Sequence, residues 1–156
     1  MVFNPLNLGL KEGYRRAISV HQGKHIDSAT LSYSSDLNSE STGLVCYEDQ
    51  RVNQTSRVTC NYLSVLNTEI ARIDVLGNGT VEVNATRPII APLSDTSAGV
   101  CYTDLGSHTV FCRHVTLNRT EGSVTLGMAS VALNHNRTTD LTMAKVADNV
   151  AVVCYR

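Results

Sequence analysis

The sequence contains no tryptophan, and its aromatic share is only 5%. Flat aromatic faces are the usual platforms for sugar rings, so their scarcity counts against a lectin. Lysine occurs three times, the ten arginines are scattered, and the net charge is -1. This balance excludes a basic nucleic-acid surface. No C-x-x-C pair exists among the cysteines, which removes zinc-knuckle and thioredoxin-type spacing. The chain also lacks a G-x-S-x-G elbow, a P-loop and an H-E-x-x-H helix. We therefore expect no enzyme, no cofactor and no metal site. No apolar run approaches the ~18 residues of a membrane span. Residues 1–20 carry no signal peptide, because Lys11, Glu12, Arg15 and Arg16 interrupt any apolar stretch. The expectation is a mature or partial chain, or an export signal upstream.

Charged residues make up 17%, against about 25% in ordinary soluble domains. In their place stand 14 Ser and 16 Thr, alongside 18 Val and 6 Ile. With 42% hydrophobic residues in 156, a core can form, and the β-branched excess favours strands. The expected class is all-β, with little helix.

Five cysteines stand at 46, 60, 101, 112 and 154. Cys46–Cys60 and Cys101–Cys112 are spaced for hairpin bridges, and Cys154 is left free or intermolecular. The alternative is five buried thiols, since cysteine is a comfortable core residue. Five N-glycosylation sequons favour the bridges: Asn53-Gln-Thr, Asn78-Gly-Thr, Asn84-Ala-Thr, Asn118-Arg-Thr and Asn136-Arg-Thr. Chance supplies about two at this composition, and each of the five falls in an expected turn or loop. Together they point to an extracellular or cell-surface glycoprotein carrying covalent N-glycans.

The chain also repeats itself. Val45-Cys46-Tyr47-Glu48-Asp49 returns as Val100-Cys101-Tyr102-Thr103-Asp104 and as Val153-Cys154-Tyr155-Arg156. Leu93-Ser94-Asp95 matches Val146-Ala147-Asp148 at the same distance before the cysteine. Leu76-Gly77 with Val81, Val83 and Asn84 matches Leu126-Gly127 with Val131, Leu133 and Asn134. The period is roughly 50–55 residues, the range of propeller blades and stacked β-units. We divide the chain into an N-terminal segment 1–28, a possible assembly arm, and a repeat domain 29–156. Its units are about 29–84, 85–134 and a partial 135–156. Leu31-Ser32-Tyr33 reads as a degenerate Val-Cys-Tyr strand. A Gly106-Ser107 type II′ turn should pair Cys101 with Cys112 and Tyr102 with Phe111. Counted from that turn, the cysteines fall at a hydrogen-bonded position. Asn78-Gly79 signals a second tight hairpin, and Asn118–Gly122 a third.

The Val-Cys-Tyr-x-Asp pattern, with its second cysteine and following Val-x-Val/Leu-Asn strand, resembles the VCYxD-type β-propeller-like repeats of extracellular surface and fibre proteins. The resemblance spans about residues 29–156. It implies a β-repeat, propeller-like architecture, an extracellular or fibre-associated role, and no catalytic residue; a β-sandwich is the alternative architecture. A closed propeller takes 4–8 blades, so about three units require neighbours or form an open array.

The remaining candidates have plainer readings. His21 and His25 have i,i+4 spacing, but their surroundings suggest a loop and solvated side chains. Asp49 and Asp104 could bind calcium or sugar, and more simply close turns through their own backbone. Tyr33, Tyr47, Tyr102 and Tyr155 would pack the units together, hydroxyls at the rim. The resulting expectation is a structural subunit of a surface filament, coat or appendage, assembled from copies of itself by repeat or strand contacts. The alternatives are a carbohydrate-binding β-repeat module and a fragment of a larger propeller.

Overall fold

The computed structural model describes residues 24–32, 40–49, 55–66, 72–118, 120–121, 123–127, 131–133 and 140–156. Among them there is no helix, in keeping with the β-branched composition. A first sheet is formed by β1 (Lys24–Ser32), β2 (Glu40–Asp49), β3 (Arg57–Leu66) and β4 (Arg72–Val83), in that order. A second follows the same order in β5 (Ala85–Ser94), β6 (Ser97–Asp104), β7 (Val110–Asn118) and β8 (Ser123–Leu126), with β9 (Val131–Ala132) also pairing β7. The third is a two-stranded ribbon of β10 (Leu141–Ala147) and β11 (Val150–Tyr155). All pairings are antiparallel. β1 begins ahead of the boundary drawn at residue 29.

The first two strands of each sheet keep one register. Cys46 sits opposite Asp27, Cys101 opposite Ile89, and Cys154 opposite Thr142. Three residues before each cysteine the partners are Thr30, Pro92 and Lys145. Four residues before, they are Ser32, Ser94 and Ala147. One residue is thus extruded at the same place each time: Leu31, Leu93 and Val146. This aligns Leu31-Ser32 with Leu93-Ser94, and not with a Val-Cys-Tyr strand as expected from sequence.

The core lies between the first and second sheets. Leu44, Cys46, Val58, Cys60, Tyr62 and Val81 meet Val100, Tyr102, Val115 and Leu117 in one buried cluster. The sheets are joined by a single residue, Asn84, in the left-handed region at φ 61°, a conformation that asparagine tolerates better than most. Its carbonyl accepts from Leu105 N–H at 2.8 Å, and Ala85 N–H donates to the Ser56 carbonyl at 3.2 Å. β5 packs against both β1 and β10, so the first strands of the three sheets lie together.

Two turn expectations are overturned. Asn78-Gly79 is no hairpin: both residues lie within β4, opposite Asn61 and Cys60. Gly79 lies against the second sheet, where a Cβ would meet the Val124 side chain at 3.4 Å, an ordinary contact distance. Register irregularities at Leu76 and Val81 interrupt the β3–β4 ladder on either side of Asn78-Gly79. The β6–β7 connection is a four-residue loop, Leu105–His108, closed by Asp104 N–H to the Thr109 carbonyl at 2.9 Å. Its left-handed residue is His108, at φ 57°, and not Gly106. The Asn118–Gly122 tip does join β7 to β8 in the expected place.

Candidate assembly surface and modification sites

Lengthening the β6–β7 loop alters the cysteine chemistry. Hydrogen-bonded and non-hydrogen-bonded pairs alternate along antiparallel strands. With Asp104–Thr109 bonded, Cys101–Cys112 falls on the non-bonded, closer position, and not on the bonded one expected from the shorter turn. The structure holds both cystines, Cys46–Cys60 and Cys101–Cys112, each with Cα atoms 4.0 Å apart. Cys154 is free and exposed. Arg156 N–H donates to the Asp140 carbonyl at 3.1 Å, which makes Cys154–Thr142 a hydrogen-bonded pair. Cys154 is therefore placed on its strand as Cys101 is on β6, but no strand among the described residues lies along the other edge of β11.

The seam between the first two sheets is polar at two points. Glu48, buried, accepts hydrogen bonds from the hydroxyls of Ser56 at 2.7 Å and of Thr86 in β5. Glu82 Oε2 accepts from the Arg113 guanidinium at 2.8 Å and from the Tyr102 hydroxyl at 3.2 Å. Both carboxylates tie one sheet to the other. Tyr102 packs the sheets together as expected, with its hydroxyl inside the seam and not at the rim. Glu48 stands at the variable position of the Val-Cys-Tyr-x-Asp repeat, on the face of Leu44 and Cys46, while Glu82 belongs to no motif. Alternation alone would turn Glu82 away from the buried Val81; the irregularity there brings it opposite the buried Val58.

Asp104 closes its loop. Its Oδ1 accepts from the Ser107 backbone at 2.6 Å and from the Ser107 hydroxyl at 2.7 Å. These bonds, the hydroxyl's foremost, hold its carboxyl below the ordinary 3.8. The turn-closing reading of Asp104 therefore holds. Asp49 is buried at the end of β2.

Of the sequons, Asn53 and Asn136 lie outside the described residues. Asn78 lies in β4 and Asn84 at the sheet junction, half-buried. A Cβ on Gly106 would meet the Asn84 Nδ2 at 3.4 Å, an ordinary contact distance. Asn118 ends β7, and its Oδ1 accepts from the backbones of Thr120 at 3.0 Å and Glu121 at 3.2 Å. Both bonds use the side-chain oxygen and neither uses the amide nitrogen, the atom a glycan would occupy. His25 lies in β1, a strand where a loop was expected, and His21 and Tyr33 lie outside the described residues. Among the described residues no three His, Cys, Asp or Glu side chains gather as metal ligands. No helix there is long and apolar enough to cross a membrane.

The third sheet differs in exposure. Along β11 and β10, Ala151 and Val153 with Leu141 and Met143 are half-buried, while Val150, Val152 and Cys154 with Thr142 and Ala144 are exposed. The half-buried face meets the second sheet: a Cβ on Gly99 would lie 3.5 Å from the Met143 thioether. Asn149 N–H donates to the Leu93 carbonyl at 3.0 Å and pins the ribbon's tip. The opposite face is apolar and open, with Val150 and Val152 each 48% exposed. Comparison with protein families, curated proteins and solved structures found no match for the chain.

Proposed function

We propose that the protein is a structural subunit of an extracellular glycoprotein assembly, a filament, coat or appendage, built from tandem β-units that contact copies of themselves. The observation that carries this reading is the open apolar face of Val150, Val152 and Cys154. A contiguous apolar patch on a chain with few charges marks an interaction surface. The tandem-unit reading rests on the shared register of the three sheets and on β1, β5 and β10 lying together. The extracellular reading rests on the two cystines and on the sequon at Asn118, whose turn bonds use its side-chain oxygen and not its amide nitrogen.

Two measurements test it. Secreted from a eukaryotic host, the protein should lose mass on treatment with an N-glycan amidase, with deamidation marking Asn118. Light scattering over a concentration series, followed by electron microscopy, should show growth beyond the monomer. A monodisperse, unglycosylated monomer at all concentrations rejects the proposal. The same open face favours a second reading, in which these units belong to a larger propeller whose next blade covers it. In that case the isolated chain stays monomeric, and a chain extended by one further unit covers Val152.

A further inference from the structure

The sheets stack by one rule. On the Cys-bearing strand, the face with the cysteine turns towards the following sheet, and the alternate face turns towards the preceding one. In the first sheet, Leu44 and Cys46 are buried against the second sheet. The second sheet answers with Ala98, Val100 and Tyr102. Its own cysteine face, Ser97, Gly99 and Cys101, is buried and meets the third sheet at Gly99, where Met143 approaches. Each contact is thus made between two different faces of the same kind of ribbon, and it occurs twice in the chain.

We infer that the open face of the third sheet, Val150, Val152 and Cys154 with Thr142 and Ala144, docks the first sheet of a second copy. The inference rests on the assembly reading above and names its contact. By register, Val150, Val152 and Cys154 stand where Ser97, Gly99 and Cys101 do, so their partner is a face of the Ala98-Val100-Tyr102 kind. The first sheet carries its counterpart around Gly43 and Val45, register equivalents of Ala98 and Val100, beside Asn61 and Leu63, all half-buried. Two exposed valines and an alanine on one side match a valine and a leucine on the other. Val146, 60% exposed, supports the site further. It is the extruded equivalent of Leu93, whose carbonyl holds the tip of the next ribbon inside the chain. Because the two faces differ, the contact is head-to-tail and closes into rings or runs on as filaments.

The test uses complementary variants of the full chain. Val152→Arg breaks the tail face and Val45→Arg the head face, and each should raise the self-association Kd at least about tenfold, as expected when a charge enters an apolar contact. Mixed in equal amounts, the two variants should form a discrete heterodimer, since each keeps one intact face. Maleimide labelling of Cys154 should slow about tenfold or more in assembled wild-type protein, where docking leaves the thiol accessible in only a minor fraction. Circular dichroism checks folding. If Val45→Arg does not fold, Leu63→Arg takes its place, and amide exchange in assembled wild type should show new protection at residues 43–45. Assembly of Val152→Arg equal to wild type overturns this contact and leaves the assembly reading standing. Assembly blocked in both variants and unrescued by mixing points to a symmetric contact and overturns the head-to-tail geometry. A wild-type chain that never associates overturns both.

Discussion

β6 and β11 share Val-Cys-Tyr and the same register against the preceding strand, yet their environments are opposite. Every residue of β6 from Ser97 to Thr103 is buried. β11 has no buried residue, and its Tyr155 is 46% exposed where Tyr102 is 1%. Pairing register is local: it follows from turn position and bulge placement along two strands. Burial is not local, because it requires a sheet on each face and a strand on each edge. β6 has β5 and β7 beside it, packs one face into the core with the first sheet, and at Gly99 on the other meets Met143 of the third. β11 has β10 on one edge and the second sheet on one face. The motif therefore encodes where a strand pairs, while its neighbours decide how much stability each residue contributes.

The comparison is broken most forcefully at the tyrosines. Tyr102→Ala should cost about 3–5 kcal/mol by emptying a fully packed site and removing a donor to Glu82. Tyr155→Ala removes only an exposed hydrogen bond to the Leu133 carbonyl, at 3.3 Å, and should cost under about 1 kcal/mol. Urea midpoints of the monomeric Val152→Arg background measure both, and equal losses would refute the difference in burial. The cysteines come next. Replacing Cys101 and Cys112 together by serine should lower stability by about 2–4 kcal/mol, because a short loop in the unfolded chain is released. Cys154→Ser in the same background should shift the midpoint by no more than about 0.5 kcal/mol.

How far the sequence could be read follows from the same distinction. The all-β class, the register of Cys101 against Cys112 and the Asn118–Gly122 hairpin were legible, since alternation, spacing and turn residues act within a few residues. Asn78-Gly79 misled, because a strong local turn signal was overridden by pairing of both residues with Asn61 and Cys60 of β3. The Gly106-Ser107 turn misled by one pair: Asp104 hydrogen-bonds Ser107 and builds a wider loop, which moves the cystine to the closer position. The seam carboxylates and the open face of β10–β11 were not legible, as both depend on how sheets stack. Glu82→Ala tests that stacking. It should cost about 1–3 kcal/mol by leaving the Arg113 charge and the Tyr102 hydroxyl without their shared acceptor. Glu82→Gln should recover part of the loss, since its amide oxygen still accepts from both donors but without the charge.

The smallest effect separates two turns that look alike in sequence, each with an aspartate beside the Cys-bearing strand. Asp104 and Asp148 both have carboxyls held below the ordinary 3.8: Asp104 first by the Ser107 hydroxyl, and Asp148 first by the hydrogen bond from Lys145 at 2.7 Å. A carboxyl whose folded value is depressed contributes stability at and above its unfolded value, and that contribution is lost as pH falls through the folded value. For both residues the window therefore lies below about pH 4. The turns should differ in size of effect. Asp104 accepts two bonds that shape the loop next to the Cys101–Cys112 ladder, so Asp104→Asn should flatten the acid limb of stability against pH and also lower the plateau. The Lys145–Asp148 pair sits on the open ribbon, where water screens an exposed ion pair. Asp148→Asn should leave the plateau unchanged within error and alter only the salt dependence of the acid limb. Urea midpoints from pH 2 to 7 at two ionic strengths distinguish them. A plateau loss for Asp148→Asn as large as for Asp104→Asn would mean that the third sheet is built into the fold as firmly as the second, against the exposure that sets β11 apart from β6.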